Sequence, residues 1–511
     1  MTAAADVSSR MHHVSLIIEF LRGRPAVVFW AAALTQAFLW TVIPTLFYSA
    51  PPGDVPLLLA IGHEFVLGSY RGPPLAFWLG ELAFRTAGAF GVYALAQACI
   101  VVAYWGVFTL GRAIVGTRHA VLGVLLMVGI AAFTVPSPDF GPAVLAAPFW
   151  ALALLHYWRA LGENKRGAWF LLAIDLGVLL LANYAGLVLL LLMTLFTLAV
   201  PAGRRALTYP EPWIAGSLFA IVIFPHAAWL YRTYALVLGG FEDTIAAAGR
   251  FAPGTWLLLS VIATHLGLFL LGALAAGWPR KKRERAPEIT RNPVESFARV
   301  YVFFFALAPA ACAVAIAYAL GHLGPFDHVT PLVVLSGLAI VLAAGDKVMI
   351  YRERLVSSAW VGLLVAPPLI VVFGLVVVPW TVAADVKIAQ PANAEGALFA
   401  DAYQRRIGKP LTYVSGDERI APLVALGAPT RPRVYFAWAP ERSPWTNAQQ
   451  VASQGGVLVW PAADNVGAPP APLRAQFPTI VPEVPRVFAR SVQGRLPLIR
   501  IGWTLLRPAA P

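Results

Sequence analysis

The chain has 511 residues, of which 59% are hydrophobic and only 12% charged. That balance excludes an ordinary soluble globular protein, in which about a quarter of residues carry charge. Apolar runs of about 18 or more residues recur along its first three quarters, the mark of a polytopic membrane protein. In that setting the formal net charge of +13 is read first as a topology signal rather than as a nucleic-acid surface.

Residues 11–22 (MHHVSLIIEFLR) read as an amphipathic helix on the membrane surface, within a cytoplasmic N-terminus spanning 1–25. The first span, 26–48, is long and lacks a small-residue cleavage site, so it reads as a retained anchor. A polar stretch follows at 54–75 (DVPLLLAIGHEFVLGSYRGPPL), and then the segment PPLAFWLGELAFRTAG. Glu81 and Arg85 stand four apart in that segment, which suits an interfacial helix better than a span. Further spans are expected over 90–111, 120–135, 143–160, 168–181, 185–200, 213–231, 255–277, 300–320, 329–344 and 359–379, about eleven in all. Cys99 and Cys312 both fall in apolar runs, so neither a disulfide framework nor a thiolate metal site is suggested.

The distribution of basic residues supports this count. Turns on one side carry Arg112 and Arg118; Arg159, Lys165 and Arg166; Arg204 and Arg205; the run from Arg280 to Arg285 with Arg291 and Arg299; and Lys347, Arg352 and Arg354. Turns on the other side are poor in Lys and Arg, the pattern expected of a cytoplasmic and an outer face. The outer loops are then 49–89, 136–142, 232–254 and 321–328 of a transmembrane domain covering 26–382. Residues 383–511 change character: Pro, Gly and Ala rise, and the runs LTYVSG, RVYFAW, GGVLVW and LIRIGWTLL have β-strand composition. A small α/β domain on the outer side is expected, either binding substrate or capping the membrane domain.

Charged residues gather at the outer face. Asp54 follows a Pro-Pro-Gly turn and could serve as a general base or hold a divalent cation, or simply cap the helix that begins at VPLLLAIG. His63, Glu64 and Arg71 suit ordinary headgroup-level charge. Asp139 lies in VPSPDFGP, a rigid outer loop, and supplies a second carboxylate. Asp175 falls inside a span and reads as one member of a helix–helix pair. Asn183 and Tyr184 occupy a later outer turn, and Phe241, Glu242, Asp243 and Arg250 could close over a site. His226 and Arg232 stand near the outer end of their span, while His322, Asp327 and His328 cluster without metal-ligand spacing. No Walker loop, GxGxxG, HExxH or nucleophile elbow occurs.

With these blocks in order, the chain resembles the GT-C membrane glycosyltransferases. It is most similar to the bacterial branch that includes lipopolysaccharide-core, polysaccharide and aminoarabinose transferases. Asp54 precedes Pro73 by nineteen positions, Gly68 and Tyr70 match a Gly-Tyr region, and GPPLAFW follows. LGRAIVGTRHAVLGVLL, SPD and PFWALALLHYWRAL continue the likeness, which covers about 26–200 and extends more loosely to GKPLTYVSGD and SPWTNA. The departures are Val55 for the family's glutamate, Gly72 for a Lys or His with Arg71 one step earlier, and Asn183 for a basic residue.

The resemblance implies a sugar transferred from a polyprenyl-phosphate donor to a lipid, polysaccharide or protein acceptor at the outer face of a bacterial inner membrane. It implies Asp54 and Asp139 as catalytic carboxylates, with a divalent cation at the pair left open. On that reading the donor phosphate arrives at the interface, where Arg71 or Arg232 could hold it, and Glu64, Tyr70, Asn183 and Tyr184 are candidate substrate contacts. Two other readings stay open: a catalytically degenerate lipid-binding or assembly subunit, and a lipid transporter or flippase. The latter would call for inverted repeats, which the sequence does not display.

Overall fold

The computed structural model describes residues 23–242, 251–277, 288–351 and 353–508. The expected surface helix at 11–22, Asp243, Arg250, the basic run 280–285 and Arg352 lie outside the described residues. The membrane part comprises α1 (Pro25–Phe47), α2 (Val55–Gly62), α3 (Leu75–Val115), α4 (Thr117–Met127), α5 (Pro142–Leu161), α6 (Ala168–Ala182) and α7 (Gly186–Ala199). It continues with α8 (Pro201–Ala206), α9 (Glu211–Glu242), α10 (Ala252–Thr264), α11 (Leu266–Ala275), α12 (Ser296–Leu320), α13 (Ser336–Ala343) and α14 (Glu353–Thr381). Prolines open α1, α5 and α8, where the missing N–H is not needed and φ is already helical.

Among the described residues seven helical stretches are long and apolar enough to cross a membrane: α1, α3, α5, α9, α10 with α11, α12 and α14. Each of the other expected spans finds a shorter apolar helix, at Thr117–Met127, Ala168–Ala182, Gly186–Ala199 and Thr330–Ala343. At 1.5 Å per residue these four fall short of ~30 Å of hydrocarbon. The protein is a multi-pass, mostly helical membrane protein. The segment expected to lie at the interface is continuous with the next span in the 41-residue α3, but the helix breaks between them at Ala87 and Gly88 (φ +60°). A glycine is needed there because other residues rarely take that backbone conformation.

Close packing of small residues holds the bundle together, as helices in lipid require. A Cβ on Gly106 of α3 would stand 2.9 Å from the Ala151 Cβ of α5. Asp175 of α6 pairs with His156 of α5 at 2.5 Å, so this intramembrane carboxylate joins two helices. At one end of the bundle β1 (Glu288–Thr290) pairs antiparallel with β2 (Lys347–Met349), and Arg291 and Arg299 meet Asp346. The loops after α1, α4 and α12 gather at the opposite end, beneath the C-terminal domain.

That domain contains α15 (Ala392–Ile407), β3 (Tyr413–Gly416), α16 (Ile420–Gly427), β4 (Arg433–Tyr435), α17 (Ala448–Gln454), β5 (Gly456–Pro461), α18 (Ala471–Gln476), β6 (Glu483–Phe488) and β7 (Ile499–Leu506). Its sheet runs β4-β3-β5-β7-β6; the first three strands are parallel, and β7 is antiparallel to both neighbours. Each of the four β-like sequence runs contributes a strand. Buried Val414, Val457 and Val459 line the sheet, and Phe399 of α15 packs with its ring tilted against Phe488 and Trp503.

The domain docks onto the membrane part through α16, which packs on α2, and through two ion pairs. Arg433 engages Glu64, whose side chain is 5% exposed, and Arg431 reaches Glu81 at 2.7 Å. Glu81 is 1% exposed and also meets His63 and Arg85, so its burial is matched by convergent donors. Arg431 takes a left-handed φ of +49°, a costly conformation for a non-glycine residue, in the turn that delivers its side chain.

Candidate active site at the domain junction

The site is built on three tight turns. Pro51-Pro52-Gly53 ends with Gly53 at φ +55°. A Cβ at that position would lie 1.8 Å from Asp139 Oδ2, so only glycine admits the carboxylate. The Asp54 backbone N–H donates to Asp139, which joins the first outer loop to the second. Asp54 occupies the N-cap position of α2, yet its side chain makes no capping bond. Instead Arg71 Nη2 donates to Asp54 Oδ2 at 2.5 Å, while the Asp54 side chain stays 68% exposed.

Arg71 is aimed by the second turn, where Ser69 and Gly72 exchange both backbone hydrogen bonds at 3.0 and 3.1 Å. Gly72 has φ +139°, a conformation that favours glycine, and the cation of this turn is Arg71. The turn is pinned from α9: His226 Nδ1 meets the Leu67 carbonyl at 2.8 Å, and Gly240 abuts the Tyr70 carbonyl. Val55, next to Asp54, is fully buried in the core.

Asp139 sits on the third turn, with its N–H bonded to the Pro136 carbonyl and the Phe140 N–H to that of Pro138. Burial pushes its carboxyl up to about 7; His328 and the Asp54 N–H oppose the rise, and Asp54 and Asp327 add to it. Two cavities meet here. The smaller, about 240 Å³, is lined by Asp54, Arg71, Asp139, Asp327 and His328 over an apolar floor of Leu57, Leu58, Phe77 and Phe140. The larger, about 750 Å³, lies between the membrane part and the C-terminal domain. Gly53, Asp54, Leu57 and Arg71 line both.

Asp54, Asp139, Arg71 and Tyr70 therefore come together around these cavities. The other residues proposed from sequence line neither cavity. Glu64 gives its carboxylate to Arg433 rather than to the site. Asn183 is buried and accepts the Ala185 N–H, fixing its own turn. Tyr184 Oη meets His226 Nε2 at 2.9 Å, a support for the Leu67 contact. Arg232 is exposed on α9. Sequence reading noted Asp327 and His328 as a cluster without a role, and it missed Glu418, Arg419, Trp438 and Arg442, which line the larger cavity. No motif marks these last four. Among the described residues no three His, Cys, Asp or Glu side chains converge as a metal site, and one oxygen of Asp54 is already taken by Arg71.

Residues 71–229 match the family model described as dolichyl-phosphate-mannose-protein mannosyltransferase. The match begins at Arg71, so Asp54 lies upstream of it, while Asp139, Asn183 and Tyr184 fall within. Among solved structures, ArnT from Cupriavidus metallidurans in the apo state aligns over 95% of this chain and 99% of its own, with 14% identity and a TM-score of 0.47. The same protein bound to undecaprenyl phosphate aligns over the same shares at 15% identity, with a TM-score of 0.43. The Archaeoglobus fulgidus oligosaccharyltransferase in the apo form aligns over 85% of this chain and 69% of its own, with 13% identity and a TM-score of 0.45. No curated protein matches the chain.

Proposed function

We propose that this protein is an integral-membrane glycosyltransferase that moves a sugar from a polyprenyl-phosphate donor to an acceptor hydroxyl. The reaction takes place at the end of the bundle covered by the C-terminal domain. The observation that carries this reading is the position of Asp54, on the wall shared by two cavities, paired with Arg71 and linked through its backbone to Asp139. The family match over 71–229, to proteins described by a dolichyl-phosphate donor, supports the same class.

The chemistry follows from the lining. A polyprenyl chain stays in the bilayer, so its phosphate arrives at the interface, where the Arg71 guanidinium can take up its oxygens. The donor sugar would enter the smaller cavity, whose floor of Leu57, Leu58, Phe77 and Phe140 keeps water from the anomeric carbon. An acceptor hydroxyl approaching from the larger cavity attacks that carbon. The carbon–oxygen bond to phosphate breaks, the electron pair leaves with the phosphate on its carrier, and Asp54 takes the hydroxyl proton. One displacement inverts the anomeric configuration. The phosphate leaves ionised, so no strong general acid is required. Asp139, with a carboxyl near neutrality, can hydrogen-bond a sugar hydroxyl as donor or acceptor.

A divalent cation enters only as another use of Asp54 and Asp139, and no step above is routed through one. The reading also carries a topology: 1–25 in the cytoplasm of a bacterium, 26–382 in its inner membrane, and 383–511 in the periplasm. The alternation of basic loops supports it. Purified protein in nanodiscs, given a labelled polyprenyl-phosphate sugar, should pass the sugar to an added acceptor or to water and leave free polyprenyl phosphate. Translocation of that lipid across a vesicle without cleavage would instead identify a flippase.

A further inference from the structure

The larger cavity carries information about the acceptor. Its walls come from both parts of the protein: Asp54, Tyr70 and Arg71 from one side, Glu418, Trp438 and Arg442 from the other. Its charges are balanced and largely engaged already. Asp54 pairs with Arg71 and Glu418 with Arg442 at 2.7 Å, Asp385 pairs with Arg490 at 2.7 Å, and Asp417 accepts the N–H of Arg419 at 2.8 Å. Lys387 and Arg419 add two cations to a wall that also carries four carboxylates.

This lining discriminates among acceptor chemistries. A phosphorylated headgroup would meet as many carboxylates as cations, and Arg71 and Arg442 are already engaged by Asp54 and Glu418. An acyl chain would bury charged groups without replacing their hydration, which is strongly unfavourable. Hydroxyl groups suit both kinds of wall group, since each donates to a carboxylate and accepts from a guanidinium. Arg442 covers the buried Tyr70 ring at 4.7 Å, and the half-buried Trp438 brings aromatic surface to the chamber. A sugar ring has the matching combination of an apolar C–H face and a polar rim. The volume, about 750 Å³, is in the range that encloses a ligand of several hundred daltons.

We propose that this chamber is the acceptor site and that it takes the end of an uncharged, polyhydroxylated glycan, with Trp438 of the C-terminal domain as a specificity-determining contact. The inference rests on the transferase reading, and it identifies the C-terminal domain as the part that chooses the acceptor.

The test separates the two readings by measuring binding and donor cleavage independently. Full-length protein in nanodiscs is titrated with neutral probes (hexamers of glucose, mannose and galactose), and in parallel with vesicles containing lipid A and with a Ser/Thr-rich peptide. Saturation-transfer NMR reads binding, and hydrolysis of a labelled polyprenyl-phosphate sugar, with water standing in for the acceptor and free polyprenyl phosphate left in the bilayer, reads donor cleavage. At least one neutral hexamer should bind, Trp438→Ala should weaken it about tenfold, and Trp438→Phe should restore most of the loss. A Trp438-dependent response to lipid A or to the peptide, or no response to any neutral hexamer, overturns the inference. If donor is cleaved while no hexamer binds, the acceptor inference fails and the transferase reading stands. If a hexamer binds through Trp438 while donor is never cleaved, the glycan chemistry of the chamber stands and the transferase reading fails.

Discussion

Gly53 and Asp139 share a space that no side chain on residue 53 could enter: a Cβ there would fall 1.8 Å from the Asp139 carboxylate. The contact ties the loop that bears Asp54 to the loop that bears Asp139, so the Asp139 carboxylate is positioned by the backbone of the Asp54 turn.

Gly53→Ala should therefore damage the site from outside its chemistry. An alanine at φ +55° costs about 1–2 kcal/mol in backbone strain alone, before Asp139 is displaced. Thermal unfolding should show a lower Tm, and sugar transfer should fall well beyond what the loss of folded protein explains. A variant with the wild-type Tm and rate would mean that the loop contact is dispensable.

Asp139 gives the protein a pH signature. Its carboxyl rises from an ordinary value of 3.8 to about 7 in the folded state, so the folded protein holds this proton more tightly than the unfolded chain. The resulting stabilisation is complete below about pH 4 and is lost as pH rises through about 7. Asp139→Asn removes that dependence. The Tm of wild type relative to the variant should fall between pH 4.5 and pH 8, a difference in which the other titrating groups cancel. A constant offset across that range would contradict the shifted carboxyl.

The C-terminal domain should release when its polar clasp is cut. Glu64→Arg alone sets a like charge beside Arg433 and should expose the 382–391 connection to protease. The double variant Glu64→Arg with Arg433→Glu should recover much of the protection. Equal cleavage in the single and double variants would show that the pair does not hold the domain.

Chelation tests how the carboxylates are used. Because Arg71 already occupies Oδ2 of Asp54, transfer should persist in excess EDTA. Loss of activity on chelation with recovery on adding Mg²⁺ or Mn²⁺ would assign Asp54 and Asp139 to a cation instead.

Sequence carried the membrane class, the helices and part of the candidate site. Apolar runs located every helix that could cross, because burial in lipid imposes a long and nearly uniform composition. The four β-like runs of the tail became strands for a similar reason, as alternating and β-branched residues suit a sheet. Asp54, Arg71 and Asp139 were legible because turn residues flank them and their spacing resembles that of a family.

What remained hidden depends on contacts between distant residues. Glu64 looked like a free interfacial carboxylate, but its partner Arg433 is 369 positions away. Nothing local signals that pairing. The same holds for Glu418, Trp438 and Arg442, which reach the site only because α16 docks on α2. Asn183 and Tyr184 follow a span in the sequence, and their contacts, with the Ala185 N–H and with His226, come from the fold rather than from any motif.

The most direct measurement is single-turnover transfer by Asp54→Asn beside wild type, with polyprenyl-phosphate binding recorded on the same samples. Asparagine keeps the shape of the side chain but cannot accept the acceptor's proton. Transfer should fall by about 10²–10⁴-fold while lipid-phosphate binding persists. Transfer at the wild-type rate by Asp54→Asn would contradict the account.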